Sequence, residues 1–284
     1  EWGYKGMVVS DYYGVDHLLN KHFVCADAVD AATTAFNCGV QYEFPQANMY
    51  RVLPELVRKR KVKKEEVDHA VEQALAFKFS LGLFENPYVD DKQAIAVSKS
   101  LLHRKTALKA AHESIVLLKN EGLLPLKKGK YKKIAVIGPC AKDVWFGGYS
   151  GEPYEKVSLL DGIRAKAGKG TEVLFAQGCR LTINTTLSYF NWKYDEIKFA
   201  SRVENLNLIK EAVKVASGAD LVILALGENE HLCREAWAQN HIGDNMTLDL
   251  FGEQNELADA LTALGKPVVL YLANGRPLSI NKLS

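Results

Sequence analysis

Four short apolar runs constrain this chain more than any other feature. They are Ile134-Ala135-Val136-Ile137, Leu174-Phe175-Ala176, the stretch from Leu221 to Leu226, and the stretch from Val268 to Leu272. Each is too short for a buried helix and too continuous for a strand with one wet face, so each reads as a fully buried strand. Helical patterns lie between them, notably Leu208 to Ser217 and Glu253 to Leu264. Strands alternating with helices predict a mostly parallel sheet covered on both faces. Such a sheet places its site on the loops at the strand C-termini. Those are the loops after Gly138, Gly178, Gly227 and Asn274. A dinucleotide fold is not expected. Gly138-Pro139-Cys140-Ala141 lacks the glycine spacing, and Pro139 removes a backbone donor where a phosphate would need one.

The N-terminal part reads differently. Gly6 precedes the apolar run Met7-Val8-Val9, and Ser10-Asp11 follows it. A run of this kind predicts a buried strand with a carboxylate at its end, followed at once by the rings of Tyr12 and Tyr13. Aromatic rings stack well on sugar faces. The plain alternative is that Asp11 caps a loop or the next helix. His17 and His22 have no second ligand at metal spacing and read as loop residues. Asp27 to Asn37 is an Ala-rich helix stopped by Gly39, and Val40 to Pro45 a strand and turn. Glu43 lies there near a rim, with a hydrogen-bonded structural carboxylate as its simpler reading. Leu53 to Arg60 and Lys64 to Leu81 read as amphipathic helices, the second with Val67, Ala70, Val71, Ala74, Leu75 and Phe77 at helical spacing. Leu83 to Tyr88 breaks the helix and starts a crossing segment, up to Asp90.

Charge and cysteines exclude several classes. A net charge of +2 leaves no footprint for nucleic acid or an anionic membrane. No apolar run approaches the roughly 18 residues of a membrane span. The 5 cysteines are scattered without a C-x-x-C pair, against a disulfide framework or a zinc site.

The segment Glu1-Trp2-Gly3-Tyr4-Lys5-Gly6-Met7-Val8-Val9-Ser10-Asp11-Tyr12 resembles the nucleophile segment of glycoside hydrolase family 3. The stretch LGLFENPY at 81–88 is similar to that family's crossing segment, and SIVLLKNEGLLPL at 114–126 to the entry of its second domain. The resemblance covers essentially the whole chain. It implies the C-terminal part of a (β/α)8 barrel over residues 1–90, followed over 91–284 by an α/β/α sandwich domain with a mostly parallel sheet. It also implies a window of a longer protein, opening in the barrel wall and ending within the second domain. Only two barrel strands, ending near Asp11 and Glu43, are expected within the window. The remaining strands would come from the same or another chain.

Residue roles follow from the resemblance. Asp11 maps onto the nucleophile of a retaining mechanism. Tyr12 stands where the family often has Trp. The general acid/base lies in the loop between Gly227-Glu228 and Leu248-Asp249-Leu250, where order and spacing match Glu235, with Glu228 as competitor. Glu228 sits directly at the strand end and is otherwise read as a structural or sugar-contacting residue. In Trp145-Phe146-Gly147-Gly148-Tyr149, Tyr149 takes the place of a family Trp that walls the leaving-group subsite. The alternative is that these aromatics pack a domain interface. Carboxyls carried on two domains would make the cleft between them the active site.

The resemblance thus implies an exo-acting, retaining β-glycosidase that releases terminal glucose or xylose. No cofactor and no catalytic metal are implied. The implied partners are a small oligosaccharide or glycoside substrate and the rest of the barrel, with no nucleic acid and no membrane; a homodimer is compatible. Two rivals stay open: a phosphorylase using a loop histidine, His231 or His241, and a non-catalytic sugar-binding homologue.

Overall fold

The computed structural model describes residues 3–4, 6–146, 155–183, 197–233, 245–281 and 283. The chain divides into two compact units, Glu1–Ile115 and Val116–Ser284. Asp90, expected at the boundary, is the N-cap of a helix within the first unit, and its side chain accepts from Lys92 N and Gln93 N.

The first unit is mainly helical: α1 (Gly14–Asn20), α2 (Ala28–Asn37), a 3-10 turn at Tyr50–Val52, α3 (Leu53–Arg58), α4 (Lys64–Ser80), α5 (Asp91–Ser98) and α6 (Leu101–Ser114). Asp27 starts α2 by accepting from Asp30 N, and the small residues Ala31, Ala32 and Ala35 then let the helix sink into the core. Around them pack Val15 of α1, Leu56 of α3, Tyr50 and Ala70 of α4.

Two segments of this unit pair in parallel at Val9 and Tyr42. Ser10 N donates to Tyr42 O at 2.8 Å, and Gln41 N and Tyr42 N both donate to Val8 O. The expected buried strand is therefore one parallel bridge, and it is not buried. Val8 and Val9 are 40% and 43% exposed. The reason is geometric: among the described residues each segment has a partner on one side only. The apolar face expected for α4 meets the same situation. The helix forms over the expected span, yet Val71, Leu75 and Phe77 are exposed and Ala70 alone is buried.

The second unit holds the sheet. Its elements are β1 (Lys133–Ile137), α7 (Leu159–Ala167), β2 (Glu172–Ala176), β3 (Thr182–Ile183), β4 (Lys198–Phe199), α8 (Arg202–Ser217), β5 (Leu221–Gly227), α9 (Gln254–Thr262) and β6 (Val268–Ala273). Four strands pair in the order β2-β1-β5-β6, every pair parallel. This is the α/β architecture expected from the four apolar runs. Alternation explains how both faces stay dry. Ala135, Ile137, Val222, Leu224 and Leu226 point to the face covered by Ile209 and Ala212 of α8 and Leu257 and Leu261 of α9. Ile134, Val136, Ile223 and Ala225 point to the opposite face, with Leu160 of α7.

Helix starts follow local chemistry. Ser158 and Asp161 form a reciprocal capping box on α7. Ser201 caps α8, which starts there rather than at the expected Leu208. The polar stretch that begins after Leu181 opens as an antiparallel pair, Thr182 with Phe199 and Ile183 with Lys198. Its middle, 184–196, lies outside the described residues.

Candidate active site

Asp11 leaves the first parallel segment held by backbone on both sides. Tyr12 N donates to Asp11 Oδ1 at 2.7 Å. Gly14 N donates to Asp11 O at 2.9 Å, closing a turn, and Tyr13 takes the left-handed conformation, φ 56°. Ser10 Oγ accepts from Phe44 N and donates to Asp11 O, both at 2.9 Å. Tyr13 N reaches Phe44 O at 2.9 Å. Residues 10–13 and 42–44 are thus stitched together, and the Asp11 carboxylate projects from the stitched edge into solvent. Tyr12 is 60% exposed, and its ring meets the Phe44 ring edge-on at 4.8 Å.

Glu43 takes the structural role. Its side chain is buried, and it accepts from Met49 N at both oxygens and from Tyr50 N at 2.8 Å. These bonds satisfy the start of the 3-10 turn. Burial raises the Glu43 carboxyl above its ordinary value; the Tyr50 and Met49 amides pull it down and the neighbouring Asp16 pushes it up.

In the second unit the strand ends are shaped by glycine. Gly138 and Gly227 have φ of 127° and 141°, and a Cβ on either would lie 2.0 Å from Ala225 O or 1.9 Å from Ala273 O. Only glycine lets the chain leave β1 and β5 so close to the neighbouring strand. Beyond these points lies a cleft lined by Pro139, Asp143, Trp145, Gln177, Arg180 and Asn229, among others. The cleft sits at the C-terminal end of β1, between β2, to which the chain runs next, and β5, to which it later crosses back. Asn229 is buried, and its Nδ2 donates to Thr182 Oγ1 at 2.7 Å. His231, a loop histidine of the phosphorylase reading, is buried edge-on against Trp145, with ring centroids 5.4 Å apart.

Glu228 is drawn inward from the end of β5. Its side chain is 0% exposed. Oε1 accepts from Arg276 Nη2 at 2.6 Å and from Arg276 Nε at 3.1 Å. The structure therefore gives Glu228 an ion-pair partner within the fold. Glu235, Tyr149 and His241 lie outside the described residues. Arg276 and Gln254 went unread in the sequence. Gln254 is fully buried at the start of α9; its side chain exchanges bonds with Gly227 N and O, at 2.8 and 2.9 Å. The signal available for Arg276 was its place two residues past Asn274, in a strand-end loop that the topology rule marks.

The second unit is thus a parallel α/β domain, covered on both faces, with polar groups gathered at its strand C-termini. A model described as the glycosyl hydrolase family 3 C-terminal domain matches residues 115–284. The chain is 38% identical to a periplasmic beta-glucosidase of Salmonella typhimurium, over 99% of this chain and 37% of that protein. It is 32% identical to a beta-xylosidase of Formosa agariphila, over 100% of this chain and 38% of that protein. The solved structure of a β-glucosidase from Erythrobacter marinus superposes with a TM-score of 0.88 at 42% identity, covering 98% of this chain and 38% of that one. This chain belongs to glycoside hydrolase family 3. It spans well under half the length of each of these relatives.

Proposed function

We propose that the protein is an exo-acting, retaining β-glycosidase that removes terminal glucose or xylose from small glycosides and oligosaccharides. The observation that carries this reading is the placement of Asp11. It stands at the end of a parallel segment, exposed, with one oxygen held by Tyr12 N and the Tyr12 ring beside it. The family membership and the names of the relatives, β-glucosidase and β-xylosidase, support the substrate class.

In this reading Asp11 attacks the anomeric carbon and forms an ester as the glycosidic bond breaks. Glu235 gives its proton to the departing oxygen. Glu235, now a carboxylate, takes a proton from water; that water attacks the same carbon and releases Asp11. Tyr12 and Tyr149 grip the sugar on the leaving-group side. Glu228, buried against Arg276, acts on the fold rather than on the sugar. The bridge at Val9 and Tyr42 belongs to a (β/α)8 barrel whose other strands would cover the exposed valines. The buried position of His231 weighs against the phosphorylase reading.

The test is stereochemical. The natural protein carrying this chain, mixed with an aryl β-glucoside or β-xyloside in an NMR tube, releases the β-anomer of the free sugar first. First appearance of the α-anomer would mean inversion and remove Asp11 as nucleophile.

A further inference from the structure

We infer that Arg276 and Glu228 form a clamp that fixes the base of the loop running from Asn229 to Leu248, so that Arg276 is a positioning residue for the acid/base group that loop carries. The inference rests on the proposed role of Glu235 in that loop. Its basis is how one guanidinium is used. Through Nε and Nη2 it holds Glu228, the residue between the end of β5 and the loop. Through Nη1 it donates to Thr247 O at 2.7 Å, and through Nη2 to Asp249 O at 3.4 Å, where the loop returns. Exit and return are therefore tied to one planar group. A guanidinium can do this because its donors form a rigid fork; a lysine cannot.

Further bonds close the same stem. Ser279 N donates to Leu248 O at 2.7 Å, and Asp249 bridges to Ser279 in parallel. Asn245 Nδ2 donates to Leu232 O, and Cys233 Sγ to Asn229 O at 3.2 Å. A Cβ on Gly275 would lie 2.9 Å from Cys233 Sγ, so the two segments pass close together. The described ends of the loop, 229–233 and 245–248, are thus tied to each other and to the segment that follows β6. A general acid must lie within hydrogen-bond reach of the leaving oxygen, and a shift of 1 Å can cost about 100-fold in rate.

The experiment compares Arg276→Ala, Arg276→Lys and Glu228→Gln with Glu235→Ala in the natural protein carrying this chain, each checked for folding by circular dichroism. Turnover is measured on an alkyl β-glycoside, which needs protonation, and a dinitrophenyl β-glycoside, which does not. Hydrogen exchange of residues 229–249 is followed in parallel. Arg276→Ala is expected to slow the alkyl glycoside by about 100-fold while sparing the dinitrophenyl glycoside, and to speed loop exchange without altering β5. Arg276→Lys should recover little of the loss. A uniform fall across leaving groups for Arg276→Ala, where Glu235→Ala is selective, would overturn the positioning role. Unchanged loop exchange in folded Arg276→Lys and Glu228→Gln would overturn the clamp. Absence of selectivity in Glu235→Ala would instead remove the acid assignment, with the exchange data still deciding the clamp.

Discussion

Arg276 Nη2 lies 2.6 Å from Glu228 Oε1 in a pair whose carboxylate is wholly removed from solvent. The two lie 48 positions apart in sequence, and the segment between them includes the candidate acid/base loop, α9 and β6. Losing one partner leaves the other charge buried and unpaired. Glu228→Ala should therefore cost about 3–5 kcal/mol of stability. Replacing both partners by apolar residues of similar volume should cost less than the sum of the single changes. A double-mutant cycle in denaturant checks this; strict additivity would mean that the pair does not interact.

A second prediction concerns the exit from β1. Gly138→Ala puts a methyl group 2.0 Å from Ala225 O at a φ of 127°. Backbone rather than a flexible side chain is in the way, so β1 and β5 must part. The expected loss is on the order of 1–3 kcal/mol, read as a lower melting midpoint. Gly162→Ala, inside α7 with open space around it, is the control and should be neutral or stabilising.

The third prediction is a pH dependence. Burial holds the Glu43 carboxyl above its ordinary value, with Asp16 adding to the shift. A raised carboxyl favours the protonated folded state. Its contribution is complete below the unfolded value and is lost as pH rises through the folded one. Glu43→Gln should remove that loss and flatten stability over this window. Melting curves across mildly acidic to neutral pH test it; an unchanged slope in Glu43→Gln would assign the dependence to another group.

The sheet was legible because its physics is local. Each residue of β5 from Leu221 to Leu226 is apolar, and each is buried. A run that must be dry on both faces announces itself in the sequence. That Asp11 follows a paired segment was legible too, since the apolar run before it and the rings after it are adjacent in the chain. The clamp was not. Glu228 and Arg276 are far apart in sequence, and no periodicity links a carboxylate at one strand end to a guanidinium at the next. The exposure of Val8 and Val9 was also hidden, because an apolar run says that a strand wants cover and not which segment provides it.

The central claim, that Asp11 is the nucleophile of a retaining glycosidase, is tested most directly by trapping the ester. The natural protein carrying this chain is incubated with a deoxyfluoro β-glycoside bearing an activated leaving group, which forms the intermediate faster than it is hydrolysed. Peptide mass mapping should then find one sugar on the peptide holding Ser10-Asp11-Tyr12, on the Asp11 carboxylate, with loss of activity in step with labelling. A sugar on another carboxylate, or full inactivation without any label on Asp11, would contradict the account.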